Sequence, residues 1–165
     1  MKRKGFTLIE LIVFIAIIGI LTGMILPVFL HGGLDEGVST LRSSIFNAKT
    51  FAVTKRKRCT LTLNADYYKT PRYLPCTLTV EDVEGTFKKE YRMPKYIRFW
   101  RYEVAGNGPV SFTSGTKVIY FEPHGILHAT QNVSFPQDII ITVKNAKTGR
   151  TTSRTIIGST CQMKE

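Results

Sequence analysis

The sequence predicts an α+β fold: a long amino-terminal helix, with a transmembrane half and an amphipathic half, packed against an antiparallel β-sheet globular domain. Three observations carry that expectation. Between Leu11 and Leu26 there is no charged residue, and Thr22 is the only polar one. From Leu34 to Lys55 apolar side chains recur at helical spacing, and from Cys59 onward the apolar period drops to two. The 165 residues suit one small domain with one appended element, and a chain that is 43% hydrophobic and 11% aromatic is too apolar for intrinsic disorder. Lys and Arg number 23 against 12 Asp and Glu, a formal net charge of +11, and nearly all of that charge follows Asp35.

Residues 6–30 read FTLIELIVFIAIIGILTGMILPVFL, long enough at ~1.5 Å per residue to cross a hydrocarbon core of ~30 Å. In residues 1–5, Lys2, Arg3 and Lys4 stand hard against one end of that stretch. Positive charge there keeps that end cytoplasmic and leaves the remainder of the chain outside. An ordinary secretory signal has a shorter apolar region with a small-residue cleavage site behind it. Here the exit reads Pro27-Val28-Phe29-Leu30-His31-Gly32-Gly33, which offers no such site. Glu10 lies just inside the apolar run. A carboxylate costs up to ~2.5–3.5 kcal/mol at the centre of a spanning helix and less near the interface, so Glu10 asks for a partner. The plainer account has it snorkelling to the headgroups.

Residues 31–58 form the second half of the helix. His31-Gly32-Gly33 reads as a flexible break and Gly37 as a further weak point, so the helix is expected to loosen there. Beyond it, Leu34, Val38, Leu41, Ile45, Ala48 and Ala52 keep an i, i+3, i+4 stripe that should pack on a sheet, with Asp35, Glu36, Arg42 and Lys49 off it. Asp35 and Glu36 near the start, and Lys55-Arg56-Lys57-Arg58 at the end, suit a helix dipole.

Residues 59–165 are expected to be β-rich. Alternation in Cys59-Thr60-Leu61-Thr62-Leu63 and Thr77-Leu78-Thr79-Val80 places Thr toward solvent. Further strands are predicted over 87–92, 97–102, 117–122, 126–128, 139–143 and 154–157, separated by turns such as Gly106-Asn107-Gly108-Pro109 and Lys147-Thr148-Gly149-Arg150. Short strands without a second long helical pattern predict one antiparallel sheet wrapped over the second half of the helix. There is no repeat and no low-complexity tract.

Lys4-Gly5-Phe6-Thr7-Leu8-Ile9-Glu10-Leu11 resembles the class III signal of type IV prepilins and type II secretion pseudopilins. The resemblance implies that a prepilin peptidase cuts between Gly5 and Phe6 and methylates the new amino group of Phe6. It also implies that Glu10 neutralises the amino terminus of a neighbouring subunit in a filament, where opposite charges in an apolar core attract far more strongly than in water. Pro27 falls where that family carries a helix-bending proline. Cleavage would lower the net charge by the three charges of Lys2, Arg3 and Lys4. The segment Val118-Ile119-Tyr120-Phe121-Glu122-Pro123-His124-Gly125-Ile126 is similar to the Phe-x-Pro-x-Gly strand and turn of the GspH/FimT group of pseudopilins and minor pilins. So are residues 139–143, Gly149-Arg150 and Thr155-Ile156-Ile157, and the helical residues 41–53 followed by a strand at Thr60.

No Gly-x-Ser-x-Gly, His-Glu-x-x-His, Walker or Gly-x-Gly-x-x-Gly pattern is present, so catalysis is not expected, and neither is a cofactor. His124 and His128 lie across a turn and a short strand, which favours ordinary surface histidines over a metal site. Cys59, Cys76 and Cys161 lie on the outer side of the membrane in this topology, where disulfides persist. Three thiols allow one bridge and a leftover, and the pairing stays open. If residues 60–63 and 77–80 form a hairpin, Cys59 and Cys76 sit at opposite ends of it. A bridge involving Cys161 is then favoured, with three half-buried thiols as the alternative.

Positive charge clusters at Lys55-Arg56-Lys57-Arg58, at Lys88, Lys89 and Arg92, and at Lys144, Lys147, Arg150 and Arg154. It also clusters at Lys95, Arg98 and Arg101, interleaved with Tyr96, Phe99 and Trp100. Cations beside aromatic rings suit a phosphate backbone and unstacked bases. FimT-like minor pilins include DNA receptors that contact DNA through a C-terminal Gly-Arg-x-Arg loop. Gly149-Arg150 matches its start, but Thr151, Thr152 and Ser153 follow and Arg154 is displaced. The plainer reading is a solvated basic face that meets anionic headgroups or acidic neighbours.

The expectation is thus a structural minor pilin or pseudopilin of a type II secretion pseudopilus or type IV pilus. Its partners would be prepilin peptidase, other pilins and, before assembly, the lipid of a bacterial inner membrane. The alternative is a FimT-like minor pilin that binds DNA in natural transformation.

Overall fold

A computed structural model describes residues 8–66, 76–131, 133 and 135–164, except the side chains of 24–32. The chain divides into two compact units, Met1–Gly32 and Gly33–Glu165. The proposed leader, residues 1–5, and Phe6 lie outside the described residues.

Helix α1 covers Leu8–Lys55. At His31-Gly32-Gly33, where loosening was predicted, the backbone is helical, as it is through Gly37, while the two compact units divide between Gly32 and Gly33. Gly33 and Gly37 serve close approach. A Cβ at Gly37 would stand 2.7 Å from Cγ2 of Ile97, and one at Gly33 would stand 3.6 Å from Cδ1 of the same side chain. Two missing side chains, one helical turn apart, thus make the hollow that receives Ile97, which is 1% exposed. Because the helix does not start at Leu34, Asp35 and Glu36 stand in its interior, and the dipole argument fails for them. Lys55 does lie in the last turn, and Arg56 closes the helix in the left-handed region at φ 53°.

The predicted stripe is buried as expected, with Val38, Leu41, Ile45, Ala48 and Ala52 all inside. Beside it Phe51 stacks on Phe87 at 4.3 Å between centroids, Nδ2 of Asn47 donates to the Tyr91 hydroxyl, and Nζ of Lys49 donates to the Thr160 carbonyl.

The strands are β1 (Cys59–Asn64), β2 (Thr77–Asp82), β3 (Lys88–Arg92), β4 (Ile97–Val104), β5 (Val110–Ser111), β6 (Thr116–Phe121), β7 (Leu127–His128), β8 (Ile139–Asn145), β9 (Thr151–Ile156) and β10 (Met163–Lys164). They form two five-stranded antiparallel sheets rather than one, in the orders β3-β2-β1-β6-β7 and β10-β9-β8-β4-β5. Each predicted strand has a counterpart, and β5 and β10 are additional. Both sheets contribute to one apolar cluster with the helix, including Leu61, Leu63, Leu78 and Phe121 from the first and Phe99, Ile141 and Ile156 from the second. Thr60 and Thr62 alternate with buried neighbours on the less covered face, as their period implies. At the free edge of the first sheet, β3 exposes Lys88, Lys89, Glu90 and Arg92.

A bulge in β4 decides which side chains reach solvent. Phe99 pairs with Val143, but the next pair is Arg101 with Thr142, so Trp100 is the extra residue. Strict alternation would turn Arg101 inward. The bulge shifts the register so that Arg101 is exposed and Tyr102 takes the buried place.

Candidate functional site

Two parts of the molecule have features that folding of a single chain does not account for. The first is the described stretch of the first unit, residues 8–23. Its large apolar side chains are exposed along the whole length, from Leu8 at 76% to Leu21 at 52%. Contiguous apolar surface of this extent belongs to an interaction surface rather than to water. The one hydroxyl in this stretch, that of Thr22, donates to the Ile18 carbonyl at 2.7 Å, so it adds no unsatisfied polar group to the apolar face. Glu10 lies in the first turn of α1, where the helix dipole favours a carboxylate. Pro27 falls within the helical backbone of α1. Among the described residues, no helix is long and apolar enough to cross a membrane.

The second part is the outward face of β4, β8 and β9. Register places Arg98 opposite Lys144, which in turn faces Thr151, and Arg101 opposite Thr142, which faces Ser153. Directly opposed residues of an antiparallel pair share a face, so Arg98, Arg101 and Lys144 stand together there. Nζ of Lys144 lies 4.0 Å from the centre of the Trp100 ring, within cation–π range. Arg98, Trp100 and Lys144 help line a cavity of about 150 Å³. Next to it, Lys95 and Lys147 approach the Tyr96 ring at 5.5 and 5.9 Å.

The structure does not bring all the predicted basic residues to that face. Arg154 pairs with Ile141, on the side of the sheet that carries the core, and its guanidinium bonds the Thr152 hydroxyl and the Ser153 carbonyl. Arg150 follows the β8–β9 turn. Oδ1 of Asn145 fixes that turn by accepting the N–H groups of Lys147 and Thr148, and Gly149 closes it at φ +74°. Arg150 lies across the turn from Asn145, whose N–H donates to its carbonyl, so by register Arg150 and Arg154 both stand off the outward face that carries Arg98, Arg101 and Lys144, and three residues rather than one separate them.

The three cysteines are free and buried, so the expected bridge through Cys161 does not form. Cys59 and Cys76 stand at opposite ends of the β1–β2 pair, as the hairpin argument requires. Cys161 is engaged elsewhere: its Sγ donates to the Gly125 carbonyl at 3.0 Å. Burial pushes the thiols of Cys59 and Cys161 up to about 11 and raises that of Cys76 as well, so all three are held in the unreactive form.

His124 is exposed, but His128 is not the surface histidine that its sequence suggests, being 3% exposed. Its Nε2 lies 2.9 Å from Oε1 of Glu122, and the same oxygen accepts from Nε of Arg58 at 2.6 Å. Burial raises the Glu122 carboxyl, but the bonds from His128 and Arg58 outweigh it and hold the group below its ordinary value. Sequence reasoning missed this Arg58–Glu122–His128 cluster. The available signal was the short β6–β7 connection, which sets Tyr120 opposite His128 and keeps Glu122 beside it. Among the described residues, no group of three or more His, Cys, Asp or Glu is arranged to hold a metal ion.

Residues 1–26 match the family model of the prokaryotic N-terminal methylation motif, the signal of type IV pilin-like prepilins. No curated protein and no solved structure matches the chain.

Proposed function

We propose that the chain is a minor pilin or pseudopilin of the GspH/FimT type, inserted in a bacterial inner membrane as a single-pass precursor with its amino terminus cytoplasmic. Prepilin peptidase cuts it between Gly5 and Phe6 and methylates Phe6, and residues 6–30 then pass from lipid into the shared helical core of a pilus or type II secretion pseudopilus. The match of residues 1–26 to the methylation motif carries this reading. The exposed apolar side chains of residues 8–23 supply its energetics, since lipid and neighbouring helices are both environments that such a surface accepts. Glu10 sets subunit register through the amino group of Phe6, a charge pair that gains strength as water is excluded. The protein acts by assembly and carries no chemistry of its own.

The test is Glu10→Ala expressed beside the other filament subunits. Insertion and cleavage should persist, while recovery of the variant in sheared filaments falls at least ~tenfold. Undiminished recovery would remove the charge pair from the mechanism.

A second reading is favoured by one observation, the Lys144 ammonium 4.0 Å over Trp100 on a face shared with Arg98 and Arg101. Stacking rings and cations together suit nucleic acid, and the protein would then be a DNA-binding minor pilin of a DNA-uptake pilus. Residues 33–165 should bind DNA with an affinity that falls steeply as salt rises, and Trp100→Ala with Lys144→Ala should weaken binding more than Arg150→Ala does. Absence of binding at low salt would leave only the structural role.

A further inference from the structure

On α1 within the second unit, a stripe at residues 42, 46, 49 and 53 alternates cation and apolar group: Arg42, Phe46, Lys49, Val53. Their i, i+4, i+7, i+11 spacing puts all four on one side of the helix. Phe46 is 65% exposed and Val53 44%, although the buried stripe of the same helix is complete without them. Together with Gln162 and Met163 at the carboxy terminus, these four side chains line a groove of about 620 Å³. The groove walls are mainly apolar, and its two charged lining residues are both cations. Lys49 spends one of its donors on the Thr160 carbonyl at 2.8 Å, which holds its ammonium at the groove wall with two N–H groups to spare.

We propose that this groove is the docking site for an amphipathic helix of a different subunit, one whose apolar stripe is flanked by carboxylates about seven residues apart. The spacing follows from the groove: Arg42 and Lys49 are two helical turns apart, ~10.5 Å along the axis, and Phe46 and Val53 repeat that interval. Apolar side chains of the incoming helix cover Phe46 and Val53, and its carboxylates face the two cations, a helix-in-groove mode with charge-set register. A second copy of the chain is the poorer occupant. It brings a strongly positive charge against a like charge, +11 for the full chain and three fewer once residues 1–5 are removed, and on the same stripe only Asp35, seven residues before Arg42, is available to meet the two cations.

That the partner is another filament subunit rests on the function proposed above, and the binding test is kept independent of it. The full chain is reconstituted in nanodiscs of zwitterionic lipid. A labelled helical peptide of about eighteen residues, with a Leu stripe and Glu at seven-residue spacing, is titrated against it, with empty nanodiscs subtracted. The expected result is saturable binding that weakens ~tenfold or more with Phe46→Ala, and likewise with Arg42→Glu, while Lys89→Glu, away from the groove, has no effect. A peptide with Lys in place of Glu should bind the Arg42→Glu chain better than the unaltered chain. Equal binding of both peptides, or indifference to Phe46→Ala, would overturn the proposal. So would self-association of peptide-free chains that Phe46→Ala abolishes, because the occupant would then be a second copy. A chain that binds the acidic peptide but never enters filaments would sink the filament reading alone; one that enters filaments but ignores the peptide would sink this one alone.

Discussion

Two pairs of glycines, each one helical turn apart, lie on α1 and mean different things. Gly33 and Gly37 make the hollow that Ile97 fills, whereas added Cβ atoms at Gly19 and Gly23 would meet nothing within 4 Å. The contrast extends to their surroundings. Around Gly37 the helix has a covered side made by its own chain, and around Gly19 large apolar side chains such as Ile17, Ile18 and Ile20 remain exposed. One part of the helix is solved by intramolecular packing; the other presents its apolar surface outward. The lesson is that the meaning of a small residue in a helix lies in what approaches it.

Three experiments sharpen or break this comparison. The largest effect is expected from Gly37→Ala. Its Cβ falls 2.7 Å from a β-branched side chain that is itself fully enclosed, so the helix and β4 must part, at a cost of ~1–3 kcal/mol. Thermal melting of residues 33–165 reads that loss directly, and an unchanged midpoint would mean that the contact is not tight.

The next effect is acid sensitivity, which the second unit should show. Hydrogen bonds from the Thr86 hydroxyl and the Phe87 N–H hold the Asp82 carboxyl below its ordinary 3.8, and Glu122 is held below its ordinary 4.5 despite burial. Depressed carboxyls contribute stability that is complete above their unfolded values and is lost as pH falls through the folded ones. The melting midpoint should therefore be flat toward neutrality and decline below about pH 4.5, and Asp82→Asn should lower it at neutral pH while making the acid decline shallower. An Asp82→Asn chain with an unaltered acid slope would exclude that group.

The smallest effect belongs to Gly19→Ala. With open space at the added methyl, the melt of the second unit should not move, and helicity gains only the ~1 kcal/mol by which Ala exceeds Gly. If the same substitution prevents recovery in filaments, the space at Gly19 is filled there by a neighbour. Full recovery would show that it stays open.

Much of the second unit was legible because its periods are clean. The stripe from Val38 to Ala52 and the alternation in β1 and β2 are each repeated often enough to fix a face. What escaped was what period cannot encode. β5 and β10 are two residues long and have no alternation to read, and strand period says nothing of which strands share a sheet, so one sheet was expected where β4, β8 and β9 form a second. Glycines read as weakness because local propensity sees their entropy and not the Ile97 that approaches them from sixty residues away. The bulge at Trp100 changed which basic residues share a face, and the β8–β9 register put Arg154 opposite Ile141, away from Arg98, Arg101 and Lys144. At the amino terminus the motif itself, Gly5-Phe6 with Glu10, was readable as a string, since its meaning depends on order along the chain more than on folding.

The edge strand β3 has a consequence for how such a molecule can associate at all. An open sheet margin invites another chain to add a strand through unpaired backbone groups, a contact that propagates without limit or register. Here that margin presents Lys88, Lys89 and Arg92 in five residues, with Glu90 as the lone acid among them. A second β3 laid alongside would bring ammonium against ammonium. Growth through this margin is thus opposed by its own charge, which leaves ordered association to surfaces that count their neighbours.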